Sequence, residues 1–387
     1  MFSRSAFLRA RVTTGVALLA GTMALSFPGG ASSHVSPHAT QVSAGGLSTC
    51  ALLSNHGIEC WGWNGSGVLG NGKKTDSSTP VSVKGITNAI QVSVGNGSTC
   101  ALLLNRRVEC WGRNDFGELG NGKTTSSLIP VSVSGITNAT QVSVADGFTC
   151  ALLSSGKVDC WGWNDSGQLG NGKTKDSSTT VPVKGITNAV QVSAGESHTC
   201  ALLSSHTVEC WGAGNLGELG NGTNTSSSIP VAVSGISNAT QINAGANDTC
   251  ALLSNQRIKC WGYNYYRQLG NGNTTDSSTP VSVMRITNAS QVSVGTGHIC
   301  ALVSDHKVEC WGYNRWGQLG DGKKRSRSAP IQVSGLANAT QVSAGGNHTC
   351  ALLSGGKVKC WGANGSGDLG NGNAVNSSSP VSVVGFG

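Results

Sequence analysis

The stretch QVSVGNGSTCALLLNRRVECWGRNDFGELGNGKTTSSLIPVSVSGITNAT, Gln91 to Thr140, contains four short strand candidates: QVSV, STCALLL, RVECWG and PVSV. Gly, Asn, Ser and Thr separate them, as turns require, and no helical period of any length is present. In the central hairpin, alternation points Cys100 and Leu102 to one side with Val108 and Cys110. Ala101 and Leu103 point to the other side, with Trp111 nearby. Both faces are apolar, so the sheet must be covered on both sides.

Nearly the same stretch recurs every 50 residues, giving units 41–90, 91–140, 141–190, 191–240, 241–290, 291–340 and 341–387. Repeats of this kind bury their faces by stacking. A stack of four-stranded sheets, each between two neighbours, closes into a ring. The expected fold is therefore all-β, a seven-bladed β-propeller of four-stranded antiparallel blades, 41–387. The repeat leaves open which strand of one unit completes the blade of the next. Gly is abundant, 56 of 387 residues, but it keeps to fixed columns such as LGNG at 69–72, as turns and close packing require.

Two cysteines ten positions apart recur in every unit and use all fourteen in the chain. In TCALLSNHGIECWG, Thr49 to Gly62, a turn centred on Asn55 sets Leu52 opposite Ile58 and Cys50 opposite Cys60. Opposed residues of a hairpin lie about 4.5–5.5 Å apart, within reach of a disulfide. One hairpin disulfide per repeat is expected: Cys50 with Cys60, Cys100 with Cys110, Cys150 with Cys160, Cys200 with Cys210, Cys250 with Cys260, Cys300 with Cys310 and Cys350 with Cys360. A loop this short gains about 3 kcal/mol from its bridge in the chain-entropy model. Linkage between neighbouring repeats, such as Cys60 to Cys100, stays open without local geometry in its favour. Zinc knuckles of the C-x2-4-C type do not occur, and no metal or other cofactor is expected.

The N-terminus sets the expected compartment. Arg4, Arg9 and Arg11 precede an uncharged, largely apolar run, Val12 to Phe27, followed by the small residues GGASS. That order is read as a signal peptide, 1–31, and a short linker, 32–40. The run is shorter than the roughly 20 apolar residues of a membrane span and is broken by Thr and Gly. The mature chain is expected to be secreted or associated with the cell envelope, with no membrane span, in an environment that favours disulfides.

The phrases QVSAG, TCALL, WG-x-N-x-x-G-x-LG followed by Asn or Asp and Gly, and PV-x-V resemble repeats of the regulator of chromosome condensation family. That resemblance covers nearly all of the mature chain and implies a seven-bladed propeller. Gly214 and Arg267 depart from the pattern, as do the cysteine columns, which fit an exported branch of the family. The resemblance also implies two activities as alternatives: guanine-nucleotide exchange on a small nuclear GTPase, as in the family founder, and inhibition of a secreted enzyme, as in propeller-type β-lactamase inhibitory proteins. An exported chain would not meet the GTPase. The aromatic-rich loops of such inhibitors are only partly matched, since the loops after each first strand hold Phe148 as their one aromatic. Fold does not carry function by itself.

Residues repeated in every unit are read as scaffold, including Trp61, Trp111, Trp161, Trp211, Trp261, Trp311 and Trp361. Two variable column sets are turn positions that could line a rim. The first runs Gly46-Leu47-Ser48, Asn96-Gly97-Ser98, Asp146-Gly147-Phe148, Glu196-Ser197-His198, Ala246-Asn247-Asp248, Thr296-Gly297-His298 and Gly346-Asn347-His348. The resemblance marks His198, His298 and His348 as structural hydrogen-bonding residues. The second set follows each WG. Every tyrosine, Tyr263, Tyr265, Tyr266 and Tyr313, falls there in units five and six, with Arg267, Arg315 and Trp316. Tyr, Trp and Arg dominate binding hot spots and stack on sugars or aromatic ligands.

Formal charge falls from +8 to about +5 once the three signal arginines are removed. Lys323, Lys324, Arg325 and Arg327 form a basic loop that would attract an anionic partner such as a cell-wall polymer. A basic face suited to nucleic acid is missing, as are catalytic signatures of the GxSxG, HExxH, Walker or dinucleotide type. The expectation is an exported, non-enzymatic propeller that binds an extracellular protein or cell-surface glycan through the loops of units five and six.

Overall fold

The computed structural model describes residues 37–387; the expected signal peptide, 1–31, lies outside the described residues. Blade one consists of β1 (Ala39–Ala44), β2 (Ser48–Leu53), β3 (Ile58–Gly62) and β4 (Ser77–Ser82). Six further blades repeat that pattern, ending in the outer strand Ser377–Ser382. Within each of the seven sheets the strands pair antiparallel in chain order. One continuous run of chain thus builds one whole blade, which settles the phase: no strand is exchanged between the termini.

The register follows the alternation of the sequence. Cys50 faces Cys60 and Leu52 faces Ile58 across β2 and β3. All seven hairpin disulfides form, with Cα atoms 4.0–4.1 Å apart and no free cysteine among the described residues. The two faces of each blade enter different cores. Cys100, Leu102, Val108 and Cys110 pack toward blade three, where they meet Ala151 and Trp161. Ala101, Leu103 and Trp111 pack toward blade one.

Tryptophan is the wedge of each seam. All seven repeated indoles are fully buried. Each donates its Nε1 hydrogen to a carbonyl of the preceding blade, from Trp111 to Val68 at 2.8 Å through to Trp361 and Gln318 at 2.9 Å. The repeated Gly of the LGN phrase makes room for this contact. A Cβ on Gly70 would stand 2.7 Å from Trp111 Nε1.

The inner strands carry a second belt. Gln41 Oε1 accepts the Val92 N–H at 2.9 Å, and Gln41 Nε2 donates to the Val92 carbonyl at 3.0 Å. Ser43 Oγ accepts the Val94 N–H at 3.1 Å. Blade seven repeats these bonds onto blade one: Gln341 with Val42 at 2.9 and 3.0 Å, and Ser343 with Ala44 at 2.9 Å. Trp61 completes the last seam by donating to the Asp368 carbonyl at 3.0 Å. There Phe386 occupies the column that holds Ile or Leu elsewhere, with its ring centroid 6.1 Å from that of Trp61.

Candidate functional site

Two loops of each blade meet on one face. The β1–β2 loop is short, and the β3–β4 loop is tied to it by backbone bonds such as Trp63 N–H to the Leu47 carbonyl, Tyr263 to Asn247 and Tyr313 to Gly297, at 2.8–2.9 Å. The Asn of WG-x-N holds the longer loop in shape from within. Asn314 is fully buried, its Oδ1 accepts the Leu319 N–H at 3.0 Å, and its Nδ2 donates to the carbonyls of Lys323 and Arg325, each at 3.1 Å. Gly214 lacks that side chain, and the Ser226 hydroxyl accepts its N–H instead, at 3.2 Å.

On this frame the four tyrosines gather into one chain of rings. Tyr263 stacks on Tyr265 at 6.4 Å, Tyr265 meets Tyr266 edge-on at 5.2 Å, and Tyr266 crosses to Tyr313 of the next blade at 4.7 Å. Gly297 lies beneath the last pair, where a Cβ would sit 3.3 Å from the Tyr266 ring. Tyr265 is 67% exposed, Tyr266 38% and Trp316 37%, whereas Tyr263 and Tyr313 are half-buried. Trp316 is not part of the chain of rings. The Arg315 guanidinium lies 5.6 Å from its centroid. Arg267 occupies a column that is Gly in the other six blades and takes the same left-handed backbone, φ 70°. Its side chain is exposed beside Tyr266 in sequence.

The basic loop flanks this shelf, because Asn314 binds it between Tyr313 and Arg315. Lys323, Lys324 and Arg325 are exposed and make no ion pair among the described residues. Arg327 does not belong with them: it opens the outer strand of blade six and pairs with Asp321 at 2.9 Å.

A second aromatic pair escaped the sequence reading. Phe116 packs on Trp163 at 5.8 Å, and the Arg113 guanidinium lies 6.0 Å from the Phe116 ring. Arg113 also pairs with Glu118 and Asp146. Phe116 to Trp163 and Tyr266 to Tyr313 are both 47 residues apart, the step from one long loop to the next. That spacing was the available signal.

The first variable set requires correction. Its leading residues, including Asn96, Asp146, Glu196 and Thr296, line the mouth of the central channel, a cavity of about 310 Å³. Its third residues do not reach a rim. Ser48, Ser98, Phe148, His198, Asp248, His298 and His348 are all buried, since they begin the second strand of their blade and pair with the Gly of WG. The histidines do act as hydrogen-bonding scaffold: His198 Nε2 meets Thr249 Oγ1 at 2.7 Å, His298 meets Thr349 at 2.8 Å, and His348 meets Thr49 at 2.7 Å across the closing seam. Burial lowers them to about 4, 3 and 4, respectively, with His348 adding to the effect on His298. They are neutral at neutral pH.

In blade five Asp248 takes the histidine's place, and the next blade offers Ile299 in place of threonine. Neither carboxylate oxygen of Asp248 has a hydrogen-bond partner. Burial, followed by the charge of Glu218, raises its carboxyl well above the ordinary range.

Among the described residues, no group of three or more His, Cys, Asp or Glu side chains is placed to hold a metal, and no helix is long and apolar enough to cross a membrane.

Seven chain-ordered blades with an indole donated across every seam define a repeat-built β-propeller. The chain belongs to the regulator of chromosome condensation (RCC1) repeat family, which matches at residues 60–102, 107–152, 155–202, 207–252, 259–302 and 305–352. A second model of the same repeat matches at 89–118, 139–168, 189–218, 239–268 and 339–368. No curated protein sequence matches the chain. Among solved structures it is similar to yeast RCC1 (Prp20) in complex with Kap60, with a TM-score of 0.76 and 22% identity over 89% of this chain and 85% of that one. Prp20p from Saccharomyces cerevisiae, reported with its binding properties to Gsp1p and histones, gives 0.76 and 22% over 89% and 87%. The CRINKLY WD40 ectodomain of the Arabidopsis thaliana receptor kinase ACR4 gives 0.53 and 20% over 90% and 99%. At these identities the likeness is one of fold.

Proposed function

We propose that the protein is an exported, non-enzymatic binding propeller that recognises an extracellular protein or glycan through the loops of blades five and six. The observation that carries this reading is the exposed aromatic shelf of Tyr265, Tyr266 and Trp316 on a scaffold that is otherwise repeated seven times. On a ring of like blades, recognition must reside where the repeat is broken. Rings fixed by contact with one another lose little freedom on binding, so more of the contact energy appears as affinity. Similar propellers bind proteins, as the complex of yeast RCC1 with Kap60 illustrates. Export is supported by the basic and apolar N-terminus, by the pairing of all fourteen cysteines and by the ectodomain setting of the ACR4 propeller.

The test uses fluorescently labelled mature protein on whole cells of the source culture. Changing Tyr265, Tyr266 and Trp316 together to Ala is expected to abolish surface binding and to leave Tm within about 2 °C, since exposed substitutions change stability by about 0.5 kcal/mol or less. Equal staining by the variant would reject the shelf. A protein retained in the cells with Met1 intact would reject export.

A further inference from the structure

The shelf of blades five and six combines two features that together specify a chemical class. Its exposed large apolar side chains are Tyr265, Tyr266 and Trp316, with no exposed aliphatic among the residues following WG in these two blades. Electron-rich ring faces held at fixed angles favour the C–H faces of pyranose rings, and phenol hydroxyls at the ring edges can bond to sugar hydroxyls. Around the shelf stand Arg267, Arg315, Lys323, Lys324 and Arg325, all exposed and none in an ion pair among the described residues. The nearby acids are engaged: Asp276 Oδ1 accepts the Asn264 N–H at 2.7 Å, and Asp321 is paired with Arg327. Five uncompensated cations bordering an aromatic surface fit a ligand that carries negative charge on sugar rings.

The aromatic pair of blades two and three provides the contrast. There Arg113 is neutralised by Glu118 and Asp146, while Asp115, Asp165 and Glu196 are exposed. The same pairing of rings in acidic surroundings would repel a polyanion.

Resting on the reading above, we infer that the shelf binds an acidic polysaccharide, with Tyr265, Tyr266 and Trp316 stacking on its rings and the loop Lys323 to Arg325, with Arg267 and Arg315, pairing with its acid groups.

The test measures binding of the purified mature protein to polygalacturonate (carboxylate), heparin (sulfate), wall teichoic acid (phosphate), neutral dextran and polyglutamate, the last a polyanion without sugar rings. At least one acidic polysaccharide is expected to bind, and the preferred one identifies the acid group. Dextran and polyglutamate are expected to bind at least tenfold more weakly. Y265A/W316A and, separately, K323Q/K324Q/R325Q are each expected to lower affinity at least tenfold. The second variant also flattens the salt dependence, because fewer counterions are released. F116A is expected to bind as the native protein does. Three results would overturn the inference: no binding to any acidic polysaccharide, equal binding of polyglutamate, or native affinity in Y265A/W316A. If the triple alanine variant loses cell-surface binding but soluble acidic polysaccharides do not compete with the native protein, the shelf stands and its assignment to an acidic glycan fails.

Discussion

Trp61→Ala is expected to lower stability by about 3–5 kcal/mol, and by more than Trp211→Ala. Each indole is fully buried, fills the seam between two blades and donates one hydrogen bond to the preceding blade, at 3.0 Å for Trp61 and 2.9 Å for Trp211. Removing either leaves a cavity and an unsatisfied carbonyl. The consequences differ because the chain runs directly from blade three into blade four, so a loosened seam there stays tethered. Between blades seven and one no peptide continues, and closure rests on Trp61, Phe386, the Gln341 and Ser343 bonds and His348 with Thr49. Trp61→Ala is therefore expected to admit sub-global opening and protease cleavage at that seam under native conditions. Urea denaturation and limited proteolysis of both variants check this. Losses below about 1 kcal/mol, or equal protease resistance, would contradict the wedge.

The second large effect is on pH dependence. His198, His298 and His348 have folded values near 4, 3 and 4, below the ordinary 6.5, because burial disfavours the imidazolium. A depressed folded value means that the unfolded chain takes up the proton first as pH falls. Their contribution is complete above 6.5 and is lost as pH falls toward 4, on the order of 3 kcal/mol for each group, without simple additivity. Buried carboxyls act in the opposite sense. Asp368, raised to about 6 chiefly by burial, and Asp248, raised further, are favourable when protonated, and that advantage is lost as pH rises from about 4. Variants separate the two groups. The native protein's advantage over His198→Gln is expected to shrink by on the order of 3 kcal/mol between pH 7 and pH 4. Asp248→Asn is expected to gain stability over the native protein as pH rises above about 4. Thermal melts from pH 4 to 8 decide: parallel curves for native and His198→Gln would show that the histidine is not buried neutral.

Much of the scaffold was legible in the sequence because alternation, turn residues and cysteine spacing all agree. The facing of Cys50 with Cys60 and the opposite allegiance of Ala101 and Trp111 followed from a period of two. The phase did not, since a repeat satisfies any cut equally; only the bonds between the first blade and the last resolve it. The third column misled because Ser, His and Asp after Gly look like an exposed turn, yet Ser48 and its equivalents already belong to the second strand. Clustering of the tyrosines in units five and six was visible from composition. Contact between Tyr266 and Tyr313, or between Phe116 and Trp163, was not, because it crosses a blade seam and so depends on ring geometry.

The central claim is that recognition resides in the symmetry-breaking loops of blades five and six while the repeat supplies only rigidity. The most direct measurement replaces residues 263–267 and 313–317 with the blade-seven equivalent Ala-Asn-Gly-Ser-Gly, residues 363–367, and compares Tm and cell-surface binding with the native chain. The account predicts a folded propeller of near-native Tm, since the graft restores the repeat and returns Gly at position 267, with binding lost. Retained binding by the folded graft would place recognition elsewhere on the ring and contradict it.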